Sequence, residues 1–171
     1  SLLLDKLKRY YKENPDNLDT MLKIINGESP VSLRIVDWFA TNYAKQKFTV
    51  YKLEDDSRFK VYVDYKLKLR AYSKKRFDPF CRWDRITIPY KNNTAIQTTL
   101  VQLNFIKWAI ENDVIKYIQE NYSDIESDMN QRNSTSRRRA QSGSTDGNKT
   151  RKRREELSVS ASKSIKSEDV L

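Results

Sequence analysis

The chain has 171 residues, a length that indicates one domain, and a net charge of +10 from 33 Lys and Arg against 23 Asp and Glu. It contains no histidine, one cysteine and three glycines, which excludes histidine-based catalysis, zinc-finger spacing and glycine-rich phosphate loops. No apolar run approaches the roughly eighteen residues of a membrane span, and charged residues follow leucines 2–4 at once, unlike in a signal peptide. We therefore expect a non-enzymatic protein that is not secreted, with no catalytic residue, metal, cofactor, membrane partner or small-molecule substrate.

Positive charge is concentrated in two stretches of the chain. Residues 58–91 carry eleven basic and three acidic side chains, a net charge of +8. Residues 131–171 carry eleven basic and five acidic side chains, a net charge of +6. The rest of the chain is therefore net acidic at −4, because the whole carries +10. Such localised positive charge predicts a polyanionic or acidic partner.

Three helices are predicted in the N-terminal third. Apolar residues recur at helical spacing over residues 3–11 and 18–25, and Asn26-Gly27 is a natural end for the second helix. A third helix is predicted to begin with Ser29 as its N-cap and Pro30 at its first position. Its apolar stripe, which we expect to pack in the core, comprises Val31, Ile35, Trp38, Phe39 and Tyr43.

The apolar period then changes to that of β-strands. Phe48 and Val50 predict a short strand, and a polar turn follows at residues 54–57. From Phe59 to Arg70 apolar and polar residues alternate, which predicts a strand with one buried face and one basic face in solvent. Residues 85–89 predict another strand that ends at its proline.

Thr99 and Gln102 form a capping-box pattern that opens a helix running to Ile110. Asp113 is a plausible cap for a following helix, and the apolar rhythm decays beyond Tyr122. We therefore predict an α+β domain over residues 1–125, with N-terminal helices, a small antiparallel sheet and a C-terminal helical segment. Residues 126–171, rich in Ser, Arg and Lys, are predicted to form a disordered basic tail.

Residues 65–85 interleave cations with aromatic rings. Cations neutralise phosphates and exposed rings stack on unpaired bases, so the pattern predicts a nucleic-acid-binding surface on the basic sheet face. Two alternatives stay open: an acidic protein partner or capsid interface on the same face, or a solubilising surface whose rings pin a turn to the core. The candidate contacts are Lys66, Lys68, Arg70, Tyr72, Lys74, Lys75, Arg76, Arg82, Trp83 and Arg85.

Two further basic clusters lie in the tail. Like-charge clusters in a flexible setting serve as nuclear import signals or as sequence-independent polyanion contacts, and an uninvolved tail is the alternative. The tail candidates are Arg137, Arg138, Arg139, Arg151, Lys152, Arg153 and Arg154.

Three stretches resemble small uncharacterised proteins of the nucleocytoplasmic large DNA viruses. They read SLRIVDWF at 32–39 with TNY at 41–43, LRAYSKKRFDPFCR at 69–82, and QLNFIKWAI at 102–110. The resemblance spans residues 30–120, leaves out the tail and brings no catalytic residue. It implies a viral protein of the virion and the infected host cell, in the nucleus or a cytoplasmic viral factory. Its partners would be DNA or RNA, or other virion proteins in a virion structural or minor capsid role.

Overall fold

The computed structural model describes residues 2–82, 84–142 and 169–170, and for residues 133–142 and 169–170 it describes the backbone alone. Within these residues, helices pack around one core beside two small sheets. The helices are α1 (Leu2–Glu13), α2 (Pro15–Ile25), α3 (Leu33–Trp38), α4 (Ala44–Gln46), α5 (Val61–Tyr72), α6 (Lys74–Phe77), α7 (Leu100–Glu111), α8 (Val114–Glu120) and α9 (Tyr122–Ser142). The strands are β1 (Val50–Lys52), β2 (Arg58–Lys60), β3 (Arg85–Pro89), β4 (Ala95–Thr99) and β5 (Asp169–Val170). The predicted α+β class is confirmed.

Helix α7 lies at the centre of the domain, in contact with α1, α2, α6 and α8. Its sequence is apolar on nearly every side, the pattern of a helix surrounded by protein. Phe105 and Ile106 are wholly buried, and the Tyr11 hydroxyl of α1 donates a hydrogen bond of 2.9 Å to the backbone oxygen of Leu103. Burial raises the pKa of Tyr11, so its hydroxyl stays a neutral donor.

The start of α7 follows the predicted capping box in part. The Thr99 hydroxyl accepts a hydrogen bond from the Gln102 backbone N–H at 3.1 Å, as predicted. The Gln102 side chain does not return to Thr99. Its Oε1 instead accepts from the Thr98 hydroxyl at 2.7 Å, and its Nε2 donates to the Pro79 backbone oxygen at 3.5 Å. Gln102 therefore links α7 to the loop before β3.

The strand predicted from Phe59 to Arg70 is wrong beyond Lys60. Only Arg58–Lys60 is extended, pairing antiparallel with β1, and helix α5 begins at Val61. The same residues also fit a helical pattern, because Val61 and Tyr65 are one helical turn apart and both are buried. The basic residues of this stretch therefore lie on a helix and not on a sheet face.

The remaining strands form a second sheet around β3. The strand predicted at residues 85–89 is confirmed as β3, which pairs antiparallel with β4 from Arg85 opposite Thr99 to Pro89 opposite Ala95. Strand β5 pairs with β3 in parallel, with Ile86 opposite Asp169. Phe48, predicted in the first strand, lies outside β1 and has a φ of 47°.

The N-terminal helices are confirmed with shifted starts. Helix α3 begins at Leu33, because Ser32 and not Ser29 is its N-cap, accepting a hydrogen bond from the Ile35 N–H at 3.2 Å. Helix α2 starts at Pro15 after Asn14. Between α3 and α4 the chain forms a π-helical turn, Phe39–Tyr43. The predicted core stripe is confirmed, with Trp38 and Tyr43 partly buried and the others buried.

The predicted boundary after residue 125 falls inside α9, which runs from Tyr122 to Ser142. Ile125 and Met129 on this helix are buried, so the packed part of the chain extends at least four residues beyond that boundary.

The predicted cap Asp113 has left-handed backbone and no side-chain bond to α8. Residues 143–168 of the predicted tail lie outside the described residues. No helix in the described part has the length and apolar character to cross a membrane.

Candidate nucleic-acid interface

The candidate surface is built on α5 and α6, two helices joined at Ser73. Ser73 has a φ of 69°, which ends α5 and turns the chain into α6. Phe77 at the end of α6 is wholly buried and meets Tyr65, Phe105 and Trp108 at ring-centroid distances of 5.4 to 5.7 Å. This ring fixes α6 to the core and leaves the three preceding cations outside.

Polar contacts to α7 fix the position of the same two helices. The Trp108 indole N–H donates to the Asp64 carboxylate of α5 at 2.7 Å. The Asn104 side-chain amide donates to the Arg76 backbone oxygen at 2.9 Å. Because Trp108 and Asn104 are buried, these bonds are shielded from water and hold the α5 and α6 backbones against the core.

The predicted cations separate into two groups on this scaffold. Lys68 and Arg85 are half-buried, and Lys68 points to another side of α5 because it is two residues from Lys66 and Arg70. The other six are exposed, and none of them makes an ion pair with another described residue. We call them the α5–α6 cations, although Arg82 lies in the loop between α6 and β3: Lys66, Arg70, Lys74, Lys75, Arg76 and Arg82.

The aromatic residues of this segment serve mainly in internal packing. Phe77 is buried, Phe80 packs partly against the core, and Tyr72 is half-buried. The Tyr72 ring stacks on Phe77 at 6.0 Å with an interplanar angle of 11°, so only one of its faces is left for a base. Trp83, the other predicted stacking ring, lies outside the described residues.

The tail candidates fall largely outside the described structure. Arg137, Arg138 and Arg139 lie within α9, where the backbone alone is described. The second cluster lies outside the described residues and comprises Arg151, Lys152, Arg153 and Arg154.

The sequence interpretation missed an exposed apolar group beside these cations. Val63 and Leu67 of α5 are 45% and 51% exposed, whereas a strand would have buried both. The helical spacing of residues 61–72 could have revealed both exposed side chains, because in a helix Val63 and Leu67 lie opposite the buried Val61 and Tyr65. Phe48, at 66%, was missed because a strand residue was predicted there.

The acidic turn at residues 54–56 is a local structural feature. The Asp55 carboxylate accepts hydrogen bonds from the Ser57 hydroxyl and backbone N–H, which lower the pKa of Asp55. Such a side-chain turn accounts for the aspartate without a ligand. Among the described residues, no group of three acidic or cysteine side chains has the geometry to hold a metal ion.

Comparisons with known proteins place the chain in a family. A family model described as "Family of unknown function (DUF7197)" matches residues 1–170. The chain belongs to this family. Its match to the family includes the basic tail that the viral resemblance had left out.

One relative of this DUF7197 chain is "Uncharacterized protein L507" of Acanthamoeba polyphaga mimivirus, 42% identical over 135 residues. The alignment covers 74% of this chain and 52% of the relative, so the chain spans about half the length of that protein. The predicted resemblance to uncharacterised proteins of large DNA viruses is thereby confirmed at the level of the family. No solved structure matches the chain.

Proposed function

We propose that this DUF7197 protein is a non-enzymatic viral protein that binds nucleic acid through the α5–α6 cations, with its basic tail as a second contact. The observation that carries the proposal is the set of six exposed cations within residues 66–82, none of which pairs with a described acidic side chain. Unpaired cations on a fixed backbone are available to replace the counterions of a phosphate backbone.

The packing of the aromatic rings determines which contacts the proposal includes. Phe77 is buried and Tyr72 lies against it, so base stacking by these two rings is limited. The proposed contacts are therefore mainly phosphate contacts, which position a protein on nucleic acid without reading its sequence. We expect weak discrimination between sequences and a strong dependence of affinity on salt.

The tail would act through its charge. Net charge accelerates association with a polyanion over distances up to about a Debye length, roughly 10 Å at 0.1 M salt. Under this proposal the protein works where viral nucleic acid is found, in the virion or the infected cell.

Fluorescence polarisation with labelled duplex and single-stranded oligonucleotides, across a salt series, tests the proposal on the full chain. The informative variant replaces Lys74, Lys75 and Arg76 with Gln. We expect its log–log salt slope on duplex to be shallower by about 2.7, from three phosphate contacts at about 0.9 each. A matched control on α1, with Lys6, Arg9 and Lys12 replaced by Gln, removes the same charge elsewhere and should change the slope little.

A third variant, with Arg151, Lys152 and Arg153 replaced by Gln, separates the tail from the folded surface. If the salt dependence of the affinity becomes shallower in this variant alone, the α5–α6 cations do not contact the nucleic acid. If the salt slope falls equally in the α1 control and in the variant of Lys74, Lys75 and Arg76, binding depends only on the net charge of the protein. Absence of binding at about 50 mM salt would remove the function.

A further inference from the structure

Large apolar side chains in water are rare in the described part of this domain. In the described residues four are exposed: Leu2, at the first residue of α1, and three others. The three are Phe48 (66% exposed), Val63 (45%) and Leu67 (51%), and we call them the Phe48 patch. Val63 and Leu67 belong to α5, Phe48 precedes β1, and none of the three is among the buried residues that form the core.

Phe48 occupies a backbone position that suits glycine. Helix α4 ends with the Lys47 N–H bonded to the Tyr43 oxygen at 2.9 Å, and the Thr49 N–H bonded to the Ala44 oxygen at 3.0 Å. This is the hydrogen-bond pattern of a helix C-terminus whose next residue is left-handed, and the φ of Phe48 is 47°. A bulky side chain is strained there, and this one is also in water.

The other two members of the patch lie on the helix that starts beside Phe48. The Val61 N–H donates to the Thr49 oxygen at 3.2 Å, so the first residue of α5 is bonded to the residue directly after Phe48. Val63 and Leu67 are one turn apart and share the outer face of α5. Phe48 therefore lies next to the first turn of a helix that exposes two aliphatic side chains.

Exposed cations accompany the patch. Lys45 and Lys47 precede Phe48 in sequence, with Lys45 Nζ 5.5 Å from the centre of the Tyr62 ring. Two nearby carboxylates have partners inside the domain, since Asp64 accepts from Trp108 and Asp128 of α9 pairs with Arg132 at 3.2 Å. The acidic turn lies at the other end of the β1–β2 ribbon, and Asp124 of α9 is an exposed acidic group near Tyr43. The exposed cations on the flanking elements are Lys45, Lys47, Lys60, Lys66 and Arg70.

We infer that the Phe48 patch docks an acidic, amphipathic segment of another protein, with apolar side chains on the patch and carboxylates on the surrounding lysines. Charge complementarity favours this occupant over a second copy of the chain, which itself carries +10. Val63 and Leu67 favour it over nucleic acid, because aliphatic side chains offer no ring to stack on a base. The inference does not depend on the proposed nucleic-acid function.

The test uses the full chain and a fluorescein-labelled peptide with Glu and Leu at amphipathic helical spacing, about five turns long. Replacing Phe48 with Gly should lower the affinity by about tenfold or more, as for a buried aromatic anchor of an interface. The double variant Val63→Ser and Leu67→Ser should show a similar loss. Leu2→Ser removes an exposed apolar side chain outside the patch and should leave the affinity unchanged.

Stability separates this role from a structural one. Because glycine suits a left-handed helix end, the Phe48→Gly variant should keep or raise the Tm while it loses the peptide. A lowered Tm would show that the ring packs on the domain in solution, which overturns the inference. Unchanged peptide affinity in Phe48→Gly overturns it too.

Two further arms test other occupants of the patch. If Phe48→Gly loses affinity for a single-stranded oligonucleotide and not for the peptide, the ring is a base-stacking contact and the inference is wrong. Phe48-dependent sedimentation with anionic phosphatidylserine vesicles, without peptide binding, would assign the patch to a lipid surface. The Lys74, Lys75 and Arg76 variant keeps the patch intact, so failure of the nucleic-acid proposal is distinguished from failure of this one.

Discussion

Helices α5 and α7 have the same length, twelve residues, and contact each other through Asp64 and Trp108, yet they have opposite surroundings. Helix α7 buries nine of its twelve residues, including the polar Gln102 and Asn104. Helix α5 buries only Val61 and Tyr65. One helix is enclosed by the domain, and the other is held at its edge.

The difference shows how polar groups are treated in each place. A buried polar side chain must find partners inside the protein, and Gln102 bonds Thr98 and Pro79. An exposed cation is satisfied by water and needs no internal partner, as with Lys66 and Arg70. The buried polar groups of α7 are therefore committed to the fold, whereas the exposed cations Lys66 and Arg70 of α5 are free to meet another molecule.

The largest expected effect comes from truncating one apolar side chain on each helix. Phe105→Ala in α7 removes a wholly buried ring that packs edge-on against Phe77, and should lower the free energy of unfolding by about 3–5 kcal/mol. Leu67→Ala in α5 should change it by less than about 0.5 kcal/mol. Urea unfolding measures both, and similar losses would contradict the comparison.

A second prediction concerns the polar residue inside α7. Gln102→Leu leaves the buried Thr98 hydroxyl and the Pro79 backbone oxygen without this partner, and should cost about 1–3 kcal/mol of unfolding free energy. Adding Thr98→Val replaces both partners by apolar groups and should recover part of that loss. A double variant as unstable as the sum of the two single variants would show that the pair is not coupled.

The smallest expected effect tests the bond that joins the two helices. Asp64→Asn keeps an oxygen acceptor for the Trp108 N–H but removes its charge, so the unfolding free energy should fall by about 0.5–1 kcal/mol. Asp56→Asn, in the exposed turn, removes the same charge and should have a smaller effect. The near-ultraviolet circular dichroism of the tryptophans should change only in the first variant, and an equal fall in unfolding free energy in both variants would argue against the bond.

The two helices also differ in how well the sequence predicts them. Helix α7 has a local start signal, because Thr99 is a capping residue, and its apolar residues cover every side. Helix α5 follows Lys60, whose side chain makes no capping hydrogen bond. The apolar residues of the α5 sequence fit both the period of a strand and the period of a helix. Only packing of Val61 and Tyr65 against the core decides between the two periods, and packing is a tertiary property that local sequence does not contain.

The candidate site was predictable in its charges and not in its rings. Lysine and arginine are almost always exposed when unpaired, so the exposed positions of Lys74, Lys75 and Arg76 follow from residue type. Phe77 and Phe80 can stack on a ligand or pack in a core, and their neighbours in sequence do not tell which. The structure assigns Phe77 to the core because α7 brings Phe105 and Trp108 to it.

The joint at Ser73 has a thermodynamic consequence. Tyr72 and Phe77 stack across it and Arg76 is tied to α7, so the two halves of the positive surface keep one mutual orientation before any ligand arrives. Association with nucleic acid, as proposed, would then require little ordering of the protein backbone. It would also bury little additional apolar area, so its heat capacity change should be small, and its entropy should come chiefly from released ions.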